Sequence, residues 1–250
     1  MKERIIKELK EIEKENDIKI LYSCEAGSRS WGFDHPNSDY DVRFIYKRNK
    51  LSDYLRLEDK KDTIDKAIEG VDFFGWDIKK ALDLHLKSNP ELREWLVMKD
   101  IYIPLDSKYF GGLPEFDTSV LKRHYTNIVN IDLHKKHRGK DERKLKRRLY
   151  DIRCILTWKV LDKGLEPKIK VVDLMDQIDL DYETKKNIIQ IINDHRNQNE
   201  KIKKDNLAFI DKWIDESFNL MVQENKKLIN KDKDKEIYDK RFYDIVTENI

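Results

Sequence analysis

Cysteine is nearly absent: Cys24 and Cys154 are the two in 250 residues. A disulfide framework is thereby excluded, and both thiols are expected as small buried hydrophobes in a reducing setting. Glycine and proline are scarce as well, at eight and five, which excludes collagen-like and linker-like chains and favours helices. No apolar run approaches the roughly 18 residues of a membrane span. The opening MKERIIKELKEIEKEN has neither the apolar core nor the cleavage site of a signal peptide. The expected location is the cytoplasm, with no membrane partner. An excess of one charge is also missing. The 51 basic and 49 acidic residues leave a net +2, so any preference for an anionic partner must come from how charge is distributed.

Aromatic residues, by contrast, are plentiful: five Trp, eleven Tyr and nine Phe, more than a disordered chain carries. The length suits one large domain or two modest ones. Ile5, Leu9 and Ile12 form one stripe and predict an N-terminal amphipathic helix. IKILYSC alternates and predicts a strand, EAGSRSWGFDHPNSD reads as a loop, and YDVRFIYK predicts a second strand. TIDKAIEGVDFFGWD adds one or two more strands. IKKALDLHLKS predicts a helix, with Ile78, Leu82 and Leu86 at i, i+4 and i+8, and Pro90 opens another.

Beyond Gly111-Gly112-Leu113-Pro114 the period is helical. Leu145, Leu149, Ile152 and Leu156 mark one helix, Tyr182 to Ile202 a second, and Leu207, Ile210, Ile214, Phe218 and Met221 a third. NKKLINKDKDKEIYDK reads as a solvated helix or a frayed tail. The fold class is therefore α+β: a mixed domain over 1–113 and an all-helical one over 114–250.

The stretch from Glu25 to Tyr46 carries the chemistry. Gly27-Ser28 follows a strand, and eleven residues after Ser28 comes Asp39-Tyr40-Asp41 at the start of another. Alternation puts Asp39, Asp41 and Arg43 on one strand face and Tyr40, Val42, Phe44 and Tyr46 on the other. Two neighbouring carboxylates repel unless a cation lies between them, and oxygen ligation suits Mg²⁺ or Mn²⁺. Glycine lets backbone approach a phosphate closely, and a serine hydroxyl with successive N–H groups can hold phosphate oxygens. Arg29 adds charge.

This Gly-Ser…Asp-x-Asp arrangement resembles the nucleotidyltransferase superfamily that includes DNA polymerase beta, aminoglycoside nucleotidyltransferases and CCA-adding enzymes. CEAGSRSWGFDHPNSDYDVRFIY, GWDIKKALDLHLKSNPELREWL and KLKRRLYDIRCILTWKVLDKG more closely resemble the YcgL/RlaP family, whose expected role is RNA repair. The likeness covers roughly residues 1–180, with Ala26 standing where Ser is expected. It implies a small mixed sheet flanked by helices, with the helical domain covering the nucleotide and acceptor cleft. It also implies metal-dependent transfer of an NMP from an NTP to an acceptor, an RNA or tRNA end. The rivals are transfer to a protein or small molecule, and RNA binding without catalysis.

Catalysis and metal binding then fall to Asp39 and Asp41 together with a third acid in a hydrophobic–acid–hydrophobic pattern. Asp72 and Asp77 both fit. Asp77 directly precedes a helix and equally reads as its N-cap, so Asp72, inside the strand pattern, is favoured as third metal ligand or proton acceptor. Nucleotide binding falls to Gly27, Ser28, Arg29 and Ser38, and to Lys146, Tyr150 and Arg153. The last three lie at i, i+4 and i+7 and suit a phosphate, a base and a ribose. His134 and His137 are spaced as helical metal ligands can be, but no matching acid or Cys accompanies them, so no metal is assigned there.

From His134 to Arg148 nine Lys or Arg stand against two acids, a footprint for an RNA backbone or a triphosphate. If Lys135, Lys136, Arg138, Arg143, Lys144 and Arg147 contact RNA, affinity falls steeply with salt. Neutralising Lys135, Lys136 and Arg138 should then flatten the log K against log salt slope by about two units, at roughly 0.7 per contact. A triple variant that matches the parent in a salt titration reduces the run to a solvated face.

Overall fold

The computed structural model describes residues 1–58, 60–136, 145–197, 204–230 and 232–248. It is α+β, as the patterning predicts. The contacts divide the chain into two compact units. A sheet unit comprises Met1–Ser30, Asp39–Phe116 and Asp232–Ile250, and a helical unit comprises Trp31–Ser38 and Asp117–Lys231. The chain therefore passes between units at four places rather than at a single cut near residue 113.

The sheet unit opens with α1 (Lys2–Asn16), β1 (Ile18–Ala26), the single turn α2 (Gly27–Trp31) and β2 (Tyr40–Arg48). A 3-10 turn at Leu51–Asp53 leads to β3 (Thr63–Ile68), β4 (Val71–Asp77), α3 (Ile78–Leu86), α4 (Pro90–Leu96), β5 (Ile101–Ile103) and α5 (Ser107–Phe110). The sheet runs β3-β4-β2-β1-β5. β2 and β4 are parallel neighbours, and the other pairings are antiparallel. The stripe Ile5, Leu9 and Ile12 packs with Ile18, Ile20, Val42, Phe44, Tyr46, Val71 and Phe73 in one core. Gly75 lies opposite Phe44 in the parallel ladder, and a side chain there would meet the Phe44 ring at 2.2 Å. On the opposite sheet face Trp76 stacks on Trp95, with centroids 3.8 Å apart. Helix caps follow the sequence: Asp77 accepts from Lys79 N, and Asn89, just before Pro90, accepts from Leu92 N. Both cysteines are free and buried.

The helical unit contains α6 (Thr118–Lys136), α7 (Leu145–Asp162), α8 (Val171–Met175), α9 (Tyr182–Arg196) and α10 (Lys204–Asn225). The three expected helices correspond to α7, α9 and α10. Residues 198–202 of the second lie outside the described residues, as do His137, Arg138, Arg143 and Lys144 of the basic run. Asn225 joins three helices, accepting from Trp158 Nε1 at 3.2 Å and donating to Thr126 Oγ1 at 2.7 Å. Arg148 pairs with Asp211 through a two-pronged contact at 2.8–2.9 Å. The polar loop Trp31–Ser38 is built into this unit: Phe33 is fully buried, and Arg196 donates to the Gly32 carbonyl at 2.9 Å. Among the described residues no helix is long and apolar enough to cross a membrane.

From Lys235 on, the run expected as a solvated helix or a frayed tail is a helix, mostly exposed, that also serves as a structural element. Helix α11 (Lys235–Val246) returns to the sheet unit and packs on α3. Its alternating charges conceal two anchors, Tyr238 and Ile245, which are almost fully buried. A hydrogen bond joins the Tyr238 hydroxyl to His85 Nδ1 at 3.0 Å. Burial, with Lys233 nearby, lowers the His85 pKa to about 4 and keeps the ring neutral. Arg241 donates to the carbonyls of Lys108, Tyr109 and Gly111. Removing residues 232–250 should thus destabilise the sheet unit by about 3–6 kcal/mol, from two large side chains at about 1.5–3 each. Urea unfolding followed by tryptophan fluorescence measures this, with Ile245→Ala expected to lose about 2–5 kcal/mol alone. A dispensable tail would leave the midpoint unchanged.

Candidate active site

β1, β2 and β4 lie side by side, and their register brings the predicted acids together. Ala26 pairs with Asp41 across β1 and β2, and Asp41 pairs with Asp72 across the parallel β2 and β4. Partners in a ladder project from the same face, so these two carboxylates face each other. Arg43, two residues along the same face, lies between them. It donates to Asp41 Oδ1 and to Asp72 Oδ2, each at 2.9 Å. Its guanidinium also lies 5.9 Å from the centre of the Phe74 ring.

Asp77 is placed elsewhere. It lies five positions beyond Asp72, about 16 Å along the strand and on the opposite face. It is buried, capping α3 while accepting from the Tyr54 hydroxyl at 3.2 Å, with Arg48 Nε at 3.4 Å. Burial raises its pKa. It lines a cleft of about 450 Å³ with Arg48, Asp53, Lys60, Asp62 and Lys80. There Asp53 pairs with Lys60, and Asp62 with Lys80. Its role is thus that of a helix cap in an ion-pair network, remote from the facing acids.

Gly27 has φ +64°, and a Cβ built on it would lie 1.9 Å from Asp41 Oδ2. The glycine therefore makes room for the carboxylate of Asp41, a use that the spacing alone does not reveal. Ser28 is buried beside it. The Arg29 guanidinium lies 4.0 Å over the Tyr40 ring, and its Nε donates to the Asp39 carbonyl at 3.2 Å. Asp39 itself is exposed and stands one residue before β2. Among the described residues no three His, Cys, Asp or Glu side chains form a group that could hold a metal unaided. Mg²⁺ is commonly held by one or two carboxylates plus substrate phosphates and water. The facing pair fits that pattern, because Asp41 Oδ2 and Asp72 Oδ1 lie outside the Arg43 bridge.

Sequence reasoning passes over Glu25. This carboxylate is 4% exposed. It accepts from the backbone N–H of Asp41 at 3.0 Å and from the Tyr102 hydroxyl at 2.5 Å. Burial raises its pKa, partly offset by those two hydrogen bonds. It fastens the start of β2 to β1 and β5. An acid near the end of a largely apolar strand, two residues before Gly27, was the available signal.

The remaining predicted residues belong to the helical unit. Ser38 closes a tight turn, its hydroxyl accepting from His35 N at 3.0 Å. Lys146 is exposed on α7. Tyr150 and Arg153 do come together, and with a partner that the spacing does not indicate. Trp31 lies 5.4 Å from the Tyr150 ring, and the Arg153 guanidinium lies 4.2 Å over Trp31. His134 bonds the Asn130 carbonyl within its own helix.

Comparison with known proteins matches this chain to a family model. The RlaP model, described as RNA repair pathway DNA polymerase beta family, matches residues 1–244. The match extends well past residue 180 and takes in α11 as far as residue 244. Among curated proteins, YcgL of Bacillus subtilis (strain 168), described as uncharacterized, is 33% identical over 241 residues, 94% of this chain and 92% of that protein.

The geometry at Gly27 makes a separable prediction. Gly27→Ala should lose stability both from the left-handed backbone, about 1–2 kcal/mol, and from displacement of Asp41. Gly70→Ala is the control, because Gly70 has φ +71° with nothing within 4 Å of an added Cβ. Thermal unfolding of both should show the larger loss at Gly27. Equal losses would mean that Asp41 moves aside freely.

Proposed function

The chain belongs to the RlaP family of RNA repair pathway DNA polymerase beta proteins, and on that premise we propose a metal-dependent nucleotidyltransferase. It transfers an NMP from an NTP to an acceptor hydroxyl, at an RNA or tRNA end, and releases pyrophosphate. The observation that carries this reading is the in-register pairing of Asp41 with Asp72 beside Gly27. An acid pair of that kind next to a Gly-Ser turn provides for a polyphosphate and for the cation that neutralises it.

Gly27 and Ser28 hold the β and γ phosphates through backbone N–H groups and the serine hydroxyl, and Arg29 adds charge to the same end. The acceptor oxygen attacks the α-phosphorus in line, and the bond to the pyrophosphate oxygen breaks. Asp72 accepts the proton of the attacking hydroxyl. Glu25, bonded to the Asp41 backbone, fixes where the Asp41 carboxylate stands. Mg²⁺ or Mn²⁺ held by Asp41 and Asp72, with Asp39 adjacent, would supply neutralisation of phosphate charge. Catalysis on this reading is positioning and electrostatics.

The test is to incubate the full chain with each α-labelled NTP, Mg²⁺ and total RNA, and to follow where the label goes. Labelled RNA is expected. Asp41→Asn and Asp72→Asn should reduce transfer by roughly 10²-fold or more. Asp77→Asn should retain transfer, since Asn also caps helices, while unfolding at a lower temperature. Transfer that survives Asp41→Asn in a folded protein overturns the mechanism, and label on protein or on a small molecule instead overturns the acceptor.

A further inference from the structure

Two facing carboxylates require a cation, and in this protein one is already in place. Arg43 takes one oxygen from each acid, at 2.9 Å on both sides, and its Nη1 also reaches the Asp72 carbonyl at 3.3 Å. The Arg43 side chain is 16% exposed, against 29% for Asp41 and 44% for Asp72. The bridge is thus sheltered on the Arg43 side and open on the side of Asp72. Charge-assisted pairs of this geometry are strong, and a guanidinium is always charged. A divalent cation approaching the same acids meets repulsion from Arg43 and finds half of the carboxylate oxygens engaged. Mg²⁺ also gives up water reluctantly. A nucleoside triphosphate changes both terms. Its phosphate oxygens offer the guanidinium an equivalent partner, and they add oxygen ligands for the metal.

We propose that Arg43 is a resident counter-ion that keeps the nucleotide-free Asp41–Asp72 pair closed to divalent cations. Metal then enters together with nucleotide, whose phosphates draw the guanidinium away. This rests on the metal-dependent reading above and adds the order of binding, which that reading leaves open.

The probe is Mn²⁺ alone, counted on the full chain by loss of the free-ion paramagnetic resonance signal. It is then repeated with non-hydrolysable analogues of the four ribonucleoside triphosphates. The wild-type protein should bind Mn²⁺ weakly alone and more tightly with an analogue. Arg43→Gln should bind Mn²⁺ without nucleotide at least about tenfold more tightly than wild type, the scale of one lost charge-assisted hydrogen-bonded contact. Arg43→Lys keeps the charge and loses the fork, so it should fall between the two. It also serves as the test if Arg43→Gln does not fold. Adding Asp72→Asn to either variant should abolish the gain.

If wild type binds Mn²⁺ with an analogue, but folded Arg43 variants bind nucleotide-free Mn²⁺ no more tightly than wild type, the counter-ion role is overturned alone. The same holds if wild type binds Mn²⁺ equally well with and without analogue. If no protein binds Mn²⁺ under any condition, the metal-dependent reading falls and this inference falls with it.

Discussion

Two carboxylates facing each other across parallel strands set the terms for everything around them. The β2–β4 register that places Asp41 opposite Asp72 also places Phe44 opposite Gly75 and Val42 opposite Phe73. A slip by one residue would turn the acids into the core and move the Phe44 ring off the one position where glycine makes room for it. The apolar face therefore fixes the polar one. The α1 stripe packs on Val42, Phe44 and Phe73, and that packing holds Asp41, Arg43 and Asp72 in line on the far side. The three charged groups need no rigidity of their own, because the hydrophobic pattern beneath them supplies it.

Around that line the protein assembles supports of different kinds. Gly27 yields space to the Asp41 carboxylate, Glu25 holds the Asp41 backbone, and Tyr102 holds Glu25 from β5. Each contact comes from a different strand or turn, and all of them constrain one residue. This distribution distinguishes Asp41 from Asp77, which is also an aspartate and is more deeply buried. Asp77 accepts hydrogen bonds from a helix end and a tyrosine and pairs with an arginine, within an ion-pair network.

The fold was readable in the sequence wherever a local pattern decides it. The Ile5, Leu9, Ile12 stripe, the alternation of YDVRFIYK, the Asn89-Pro90 break and the cap at Asp77 are all short-range signals. Non-local choices were not readable. Nothing in the spacing of Asp41 and Asp72 states that their strands are parallel neighbours in register. Arg43 could be placed on the acid face from alternation, but its bridge to Asp72 depends on that pairing. Trp31 looked like part of a polar loop, because its partners Tyr150 and Arg153 are distant in sequence. Tyr238 and Ile245 were hidden among charges, two apolar residues seven apart in a helix whose composition resembles a tail.

The chain passes between its two units four times, and this bears on how the protein is made. During synthesis N-terminal segments leave the ribosome first and begin to fold as units. Here β1, β2 and β4 can pair once β4 has emerged, yet the α3 face that Tyr238 covers stays bare until residues 117–231 have been translated and α11 follows. The loop 31–38 likewise has no helices to join until α7 and α9 appear. The sheet unit thus spends most of translation with an apolar surface uncovered, in the state where nascent chains are most prone to stick to one another and most in need of a chaperone.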